Sequence, residues 1–325
     1  MDLDQAFQHF QQHGVVIIPN ILSEDECDMY MSGIVSRFEA LGTGIERHNI
    51  KKTWSDYNLP PQTRPGLFQC LMGNLPEVWA IRQHPRIQEV FHTFYSKLGH
   101  DEQLVVSGDG INIKPGSIGP YQTDNDWAHL DQTCDGIFRC IQGQVVLTNT
   151  TACFRASPRS HELHPHILRH LDINDNGNWV KFSGQGLEDV RDMVEDYGGE
   201  WQTPILSQKG SLILWSSTTI HSAMLQAGPE HPTTDPWNGW RGVVYVSYRP
   251  ITDLSTRNIS TRQTAYFQNR VTNHWSSRLF PKRPGGRWAQ SIRYHPRIEE
   301  LLNNPEKFYD EVCGRPEIDQ SLIGM

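Results

Sequence analysis

Residues 127–133 have the sequence WAHLDQT, and residues 210–223 and 241–250 have the sequences GSLILWSSTTIHSA and RGVVYVSYRP. The second and third stretches contain apolar runs of strand length, which predict buried strands. The first stretch is also strand-like, and it places His129 and Asp131 two positions apart. Side chains two apart on a strand point to the same face, so this imidazole and this carboxylate are predicted to converge on one point.

The partner that this pair needs is a histidine from another strand. His221 is the candidate, because it follows the apolar strand that Gly210 leads. Two imidazoles and one carboxylate hold Fe(II) on one face and leave the opposite positions open for other ligands. A zinc site with the same donors is the alternative for these three residues.

Arg241 opens the strand at 241–250, which is otherwise apolar. A buried guanidinium is costly unless an anion accompanies it, and a carboxylate held through two hydrogen bonds would suit it. The alternative is an ordinary arginine at the edge of a strand.

Other histidines produce weaker patterns. His170 and Asp172 form a second His-x-Asp pair, but the surrounding residues predict the end of a helix running into a turn. His161, His164 and His166 cluster around Pro165, where we expect a loop and a structural or surface role. We therefore expect no metal at either cluster.

The order of elements along the chain predicts an α+β fold. Residues 2–13 form a short amphipathic helix, and residues 15–19 form a buried strand. Ser23 begins a second helix over 24–40 with a capping-box pattern, and residues 74–99 are helical in two pieces. Short strand patterns follow from about residue 103, which indicates a β-sandwich or barrel core flanked by helices.

Composition excludes several classes of protein. The 325 residues carry a net charge of −8 and a mean hydropathy of −0.55, with no apolar run near the length that spans a bilayer. We therefore expect no membrane span, and the acidic balance argues against a general nucleic-acid binder. The first residues show no secretory-signal pattern, and the six cysteines are predicted to be free thiols in a reducing, cytoplasmic compartment.

A basic segment lies between Ser255 and Ile298, where nine lysine or arginine residues occur without any Asp or Glu. One interpretation is a solvated face whose arginines pair with the acidic remainder of the protein. The other is a basic surface near the mouth of a site, which would favour an anionic substrate.

Taken in order, these stretches resemble the phytanoyl-CoA hydroxylase-like Fe(II)/2-oxoglutarate oxygenases. The similarity lies in five segments and spans roughly residues 5–250: FQQHGVVIIPNILSEDECDMY, INIKPGSIGPYQTDNDWAHLDQT, ACFRASPRSHELH, GSLILWSSTTIHSA and RGVVYVSYRP. The chain departs from the family at His221-Ser222-Ala223, where His-Gly-Ser is common. It also has an unusually long interval between His221 and Arg241.

The resemblance implies a double-stranded β-helix, or jelly-roll, core over residues 1–250, with residues 251–325 as an extension packed on the same domain. It implies Fe(II), 2-oxoglutarate and O₂ as the reacting partners, with iron held by His129, Asp131 and His221. Arg241 would pair with the distal carboxylate of 2-oxoglutarate. Ile111 and Gln144 match positions near the cosubstrate.

The activity that the resemblance implies is oxidation of an unactivated C–H bond of a small molecule, coupled to decarboxylation of 2-oxoglutarate to succinate. Because related halogenases replace the carboxylate ligand with a small residue, Asp131 favours hydroxylation, desaturation or cyclisation. The alternatives are an oxygenase that modifies a protein side chain or a nucleic acid, and a jelly-roll protein that binds without turnover. The sequence leaves the substrate and the oligomeric state open.

Overall fold

The computed structural model describes residues 2–115, 127–134, 140–173, 179–224, 234–275, 279–282 and 292–325. Within these ranges the helices are α1 Leu3–His13, α2 Glu24–Ala40, α3 Ile50–Thr53, α4 Pro76–Arg82, α5 Pro85–Lys97, α6 Ser160–His170, α7 Gln185–Asp196, α8 Thr256–Phe267, α9 Pro296–Asn303 and α10 Pro305–Phe308. The predicted capping box at Ser23 is present, because its side chain accepts from the Glu26 amide while the Glu26 carboxylate accepts from the Ser23 amide.

Thirteen strands are present in the same ranges. They are β1 Val15–Ile18, β2 Gln62–Arg64, β3 Leu67–Phe68, β4 Leu104–Val106, β5 Ile111–Lys114, β6 His129–Leu130, β7 Ile141–Val146, β8 Phe154–Ala156, β9 Val180–Lys181, β10 Thr203–Ile205, β11 Leu212–Ser216, β12 His221–Ala223 and β13 Arg241–Pro250. The strand predicted at 241–250 therefore has the predicted limits.

The strands form two antiparallel sheets. The larger sheet has the order β1-β11-β7-β13-β5-β3-β2, with β4 also paired to β13. The smaller sheet has the order β10-β8-β12-β6-β9. Chain neighbours are often not sheet neighbours, so the chain crosses repeatedly between the sheets. This mixed helical and antiparallel architecture is the jelly-roll core with flanking helices that the resemblance implied.

Apolar side chains divide the structure into layers. The largest core lies between the helices and the outer face of the larger sheet, and it includes Phe38, Trp79, Phe94 and Tyr248. A second core packs α6 and α7 against the smaller sheet. A third core joins the inner faces of the two sheets.

Strand β13 shows how the layers position the site. Val244, Val246 and Tyr248 belong to the helix-side core, whereas the alternate residues Tyr245 and Ser247 line a cavity between the sheets. One strand therefore supplies both the hydrophobic support and the polar wall of the site.

The prediction of a loop around Pro165 is wrong, because residues 160–170 form α6 with this proline inside it. Leu163, Ile167 and Leu168 of this helix are buried against α7. Their helical spacing buries one continuous apolar face, and this burial outweighs the loss of a single backbone hydrogen bond at the proline. The predicted end of a helix at His170 is present.

The C-terminal residues pack on the same core as the helices, through Ile298, Leu301 and Phe308 among others. In the basic segment, Arg262 is buried, Arg270 donates to the Phe280 carbonyl, and Arg297 pairs with Glu300 and Glu311. Arg278, Arg283 and Arg287 lie outside the described residues, so the basic surface predicted there stays a prediction.

Two further expectations concern the whole chain. None of the helices in the described ranges is long and apolar enough to cross a bilayer. All six cysteines are free thiols, and five of them are buried.

Gly210, shortly before β11, is a position that tolerates no side chain. Its φ is +83°, and a Cβ there would lie 2.2 Å from the Leu22 carbonyl oxygen. Its amide donates to the Val146 carbonyl at 2.8 Å, and its carbonyl accepts from Ile21 at 2.8 Å, so the backbone cannot move away.

We expect Gly210→Ala to lower the free energy of unfolding by about 3 kcal/mol or more, since backbone strain and a collision with backbone add together. Gly99→Ala is the matched control, because its φ is +88° with nothing within 4 Å of the added Cβ. It should cost only about 1–2 kcal/mol. Urea denaturation measures both variants, and equal losses would show that the collision at Gly210 is not felt.

Candidate active site

His129, Asp131 and His221 come together between the sheets. His221 lies directly opposite His129 across the β12–β6 pair, and Asp131 follows β6. The ligand atoms of the three residues all lie within 4.8 Å of one another, and all three residues are buried. His221 Nε2 is 3.1 Å from Asp131 Oδ2, and His129 Nε2 is 3.7 Å from Asp131 Oδ1.

Both imidazoles are held by their other nitrogen. His129 Nδ1 lies 3.2 Å from the Trp127 carbonyl oxygen, and His221 Nδ1 lies 2.9 Å from the Thr219 carbonyl oxygen. A carbonyl oxygen can only accept, so each Nδ1 is protonated and Nε2 is the nitrogen that remains for a metal. This is the tautomer that a metal requires from both rings.

The charge states also suit a metal. Burial, together with the nearby His221, lowers the pKa of His129 to about 3, so that its ring is neutral at physiological pH. Burial by itself would raise the pKa of Asp131, but His274, His129 and His221 hold it well below its usual range. Two imidazoles and one carboxylate fit Fe(II) as a facial set of donors.

Two residues orient the ligands from outside. Gln142 Nε2 donates to Asp131 Oδ2 at 2.9 Å, which fixes the carboxylate. The Trp127 ring stacks on His129 with centroids 4.8 Å apart, and Trp127 Nε1 donates to the Ala223 carbonyl at 2.8 Å. That hydrogen bond ties the strand of one histidine to the strand of the other.

Arg241 lies at the start of β13 and is buried. Its Nη1 donates to the Ala152 carbonyl at 2.6 Å, whereas Nε and Nη2 are buried without a hydrogen-bond partner among the described residues. Tyr245 lies beside it; burial raises the pKa of this phenol, and the Arg241 guanidinium opposes that rise. A buried cation with two unused donors is prepared to receive an anion.

The cavity that contains these groups has a volume of about 360 Å³. Its walls carry His129, Asp131, His221, Arg241 and Gln144, together with the aromatic residues Trp127, Phe154, Trp179, Trp215, Tyr245 and Phe280. This size and this mixture of aromatic and polar groups are typical of a small-molecule site.

Ile111 does not belong to this cavity. Its side chain lies in the helix-side core, on the opposite face of β5 from the cavity. The next residue, Asn112, is the one whose side chain reaches Tyr245. Gln144, in contrast, lines the cavity, and its Oε1 is buried without a hydrogen-bond partner in the described part of the chain.

The sequence analysis missed Asp109 and His274, which line the same cavity. His274 Nε2 lies 3.8 Å from Asp131 Oδ2. Neither residue belongs to a sequence motif. The two are far apart in the chain and come together only in the folded structure. The available signal was weak: a lone acid just before the INIK strand, and a histidine within a basic segment.

A jelly roll that presents two imidazoles and one carboxylate to a buried cavity defines the class of non-haem iron oxygenases. Comparison with known proteins agrees with that class. The family model for "Phytanoyl-CoA dioxygenase (PhyH)" matches residues 10–224. The chain belongs to the phytanoyl-CoA dioxygenase family, and it is an Fe(II)/2-oxoglutarate-dependent dioxygenase.

Individual relatives are distant. "Ava biosynthesis cluster protein O" from Aspergillus versicolor is 24% identical over 237 residues, which cover 68% of this chain and 72% of that protein. "Putative phytanoyl-CoA dioxygenase" from Dictyostelium discoideum is 28% identical over 137 residues, 38% of this chain and 36% of that protein. The solved structure of GIG2 (DUF1479) from Candida albicans covers 97% of this chain and 77% of its own, with a TM-score of 0.51 and 18% identity, and so supports the fold alone.

The hydrogen bond from Gln142 to Asp131 generates a prediction about metal affinity. We expect Gln142→Leu to weaken Mn(II) binding by about 10- to 100-fold, because the carboxylate loses the donor that orients it. Calorimetric titration without 2-oxoglutarate measures this affinity. Gln144→Leu is the matched control, since Gln144 lies on the same face of β7 and lines the cavity. An equal loss in both variants would contradict the orienting role of Gln142.

Asp109 generates a prediction about stability. Burial raises its pKa, although His274, the Gly110 amide and Arg82 oppose the rise. An acid whose pKa is higher in the folded state binds more protons there than in the unfolded chain, so its contribution to stability falls as the pH rises through that range.

We therefore expect Asp109→Asn to be more stable than the wild type at about pH 7, with the advantage shrinking towards about pH 4. Urea denaturation of the metal-free protein measures the difference, and Asp101→Asn on the exposed α5–β4 loop serves as control. An advantage that does not change with pH would contradict the assigned cause.

Proposed function

We propose that this protein oxidises an unactivated C–H bond of a small molecule by hydroxylation, desaturation or cyclisation, while 2-oxoglutarate is decarboxylated to succinate. His129, Asp131 and His221 are the iron ligands in this proposal. Arg241 binds the distal carboxylate of 2-oxoglutarate.

The observation that carries the proposal is the presence of two complementary half-sites in one cavity. One is the cluster of His129, Asp131 and His221 with both Nδ1 atoms engaged. The other is the buried guanidinium of Arg241 with two unused donors. A dicarboxylate that chelates the metal at one end requires a cation for its other end, and Arg241 supplies it.

Each group has a definite task. The two Nε2 lone pairs and the Asp131 carboxylate would hold Fe(II), and Gln142 keeps the carboxylate in place. When bound, Fe(II) together with 2-oxoglutarate supplies the reaction with O₂ that oxidises the substrate. The aromatic walls exclude water and present the substrate to the metal side of the cavity.

Arg241 and Gln144 would bind the cosubstrate. Gln144 lies opposite Tyr245 in the β7–β13 pairing, so its side chain lies on the same inner face of the sheet as Tyr245 and Arg241. Its buried Oε1 and the guanidinium donors are polar groups that an ordered ligand would satisfy.

The shape of the cavity supports a small-molecule substrate over a macromolecule. A cavity of about 360 Å³ lined largely by aromatic side chains has the size that holds a small organic molecule. A zinc hydrolase with the same three ligands would leave the buried cation of Arg241 without a task.

Anaerobic titration of the metal-free protein with Fe(II) and 2-oxoglutarate tests the proposal. We expect a weak visible charge-transfer band, which His129→Ala abolishes because a ligand is lost. Arg241→Met should weaken the binding of 2-oxoglutarate by about ten-fold or more, because a charge-assisted pair is removed.

Arg249→Met is the matched control for the arginine. Arg249 is also buried on β13, and it donates to the Trp275 carbonyl rather than lining the cavity. The control should keep the band and its dependence on 2-oxoglutarate. If the wild type binds Fe(II) without developing a band, the bidentate cosubstrate is wrong and a hydrolase or a binding protein becomes the better hypothesis.

A further inference from the structure

Asp109 is a buried carboxylate that opens onto the cavity. The residue is only 8% exposed, and Arg82 fixes its backbone by donating from Nη2 to its carbonyl oxygen. Its Oδ1 accepts from the Gly110 amide at 2.7 Å. This is the side-chain hydrogen bond that the described structure gives Asp109, and the residue lines the cavity. A carboxylate held in this way lacks the donors that normally accompany a buried charge.

The wall around Asp109 is fixed by hydrogen bonds. The Thr272 amide donates to the Gly108 carbonyl at 2.8 Å, and the Gly108 amide donates to Thr272 Oγ1 at 3.2 Å. These bonds place Asn273 and His274 beside the carboxylate on the same cavity wall. His274 Nε2 is itself buried without a hydrogen-bond partner in the described structure.

Along the sheet, the backbone of Asp109 is well separated from Arg241, the residue proposed to bind the distal carboxylate of 2-oxoglutarate. The Tyr245 amide donates to the Gly110 carbonyl at 3.3 Å, and the Ser107 amide donates to the Ser247 carbonyl at 2.8 Å. Asp109 is therefore level with the region of Tyr245 to Ser247, whereas Arg241 is at least four residues earlier on β13. At about 3.4 Å per residue, the two backbone positions are roughly 15 Å apart. The positive and negative groups thus serve different parts of the bound molecules.

The other charged groups of the cavity show which kind of partner the Asp109 carboxylate lacks. Fe(II) would be matched by Asp131 and by the carboxylates of 2-oxoglutarate, and Arg241 by the distal carboxylate. Arg64 stacks over Trp127, with its guanidinium carbon 3.8 Å from the ring centroid. Arg82, the nearby cation, donates to the backbone carbonyls of Gly73 and Asp109 rather than to the Asp109 carboxylate. A charged hydrogen-bond donor to this carboxylate is what the remaining ligand can supply. The aromatic walls add faces that attract cations.

We propose that Asp109 binds a positively charged nitrogen of the substrate, so that the substrate is an amine with an apolar body. The proposal rests on the function proposed above, and it replaces the anionic substrate that the basic segment suggested. Asp109 acts as a specificity residue: its Oδ2 accepts from the ammonium group, while the aromatic rings cover the hydrocarbon part.

Three probes of similar size and different charge test the proposal: 2-phenylethylammonium, 2-phenylethanol and phenylacetate. They are titrated by calorimetry into the full chain loaded with Mn(II) and 2-oxoglutarate. We expect the ammonium compound to bind about ten-fold or more tightly than the alcohol, and phenylacetate to bind most weakly, because only the first supplies a charge-assisted hydrogen bond.

Asp109→Asn should abolish the preference for the ammonium compound while leaving the affinity for the alcohol unchanged. The amide oxygen of this variant can still accept from Gly110, so the local backbone is retained. Asp101→Asn, which removes the same charge from an exposed loop, should keep the preference. Comparison of the two variants distinguishes a local contact with Asp109 from an effect of the net charge of the protein.

Equal affinities for the ammonium compound and the alcohol, tightest binding of phenylacetate, or no binding of the ammonium compound would each overturn the proposal. So would a preference that survives Asp109→Asn. Failure of the protein to bind 2-oxoglutarate would count against the proposed function instead. In that case the three probes are titrated into the metal-free protein, which retains Asp109 and the aromatic walls. The same results support or overturn the proposal there.

Discussion

The site depends on the register of one short strand pair. β6 and β12 place His129 and His221 directly opposite each other, and both rings point to the same face of the smaller sheet. A shift of one residue in either strand would turn one imidazole to the other face, because side chains alternate. Neither strand is long enough to fix its register alone. β8 and β9, on the outer sides of the pair, hold it, and Trp127 links it through the Ala223 carbonyl.

Much of the fold and the proximity of the three candidate ligands could be predicted because the signals are local. The alternation in β13 and the capping box at Ser23 depend on residues within a few positions of each other. The cluster of His129, Asp131 and His221 could be predicted because two of its members share one strand pattern and the third follows a buried strand. Asp109 and His274 could not be predicted in this way. Their proximity depends on hydrogen bonds between Gly108 and Thr272, residues far apart in the chain.

Two expectations differ from the structure for physical reasons. The prediction of a loop around Pro165 gave too much weight to one proline. It gave too little weight to the apolar face of α6, which is buried in the second core. Ile111 was placed near the cosubstrate by resemblance. Its own strand pattern gives the correct answer, since Ile111 and Ile113 share one apolar face and Asn112 lies on the other. In β5, the alternation of apolar and polar residues predicts the orientation of the side chains better than the resemblance to the family does.

The match to the family model ends at residue 224, whereas Asn273, His274 and Phe280 line the cavity from beyond it. The cavity is therefore built from both parts of the chain, since His129, Asp131 and His221 lie within the matched range together with Trp127 and Phe154. Because His274 Nε2 lies 3.8 Å from Asp131 Oδ2, a substitution at residue 274 would change the cavity wall and the surroundings of this carboxylate together. The part of the chain beyond the family match is thus coupled to the candidate metal ligands, and the two parts of the site cannot vary independently.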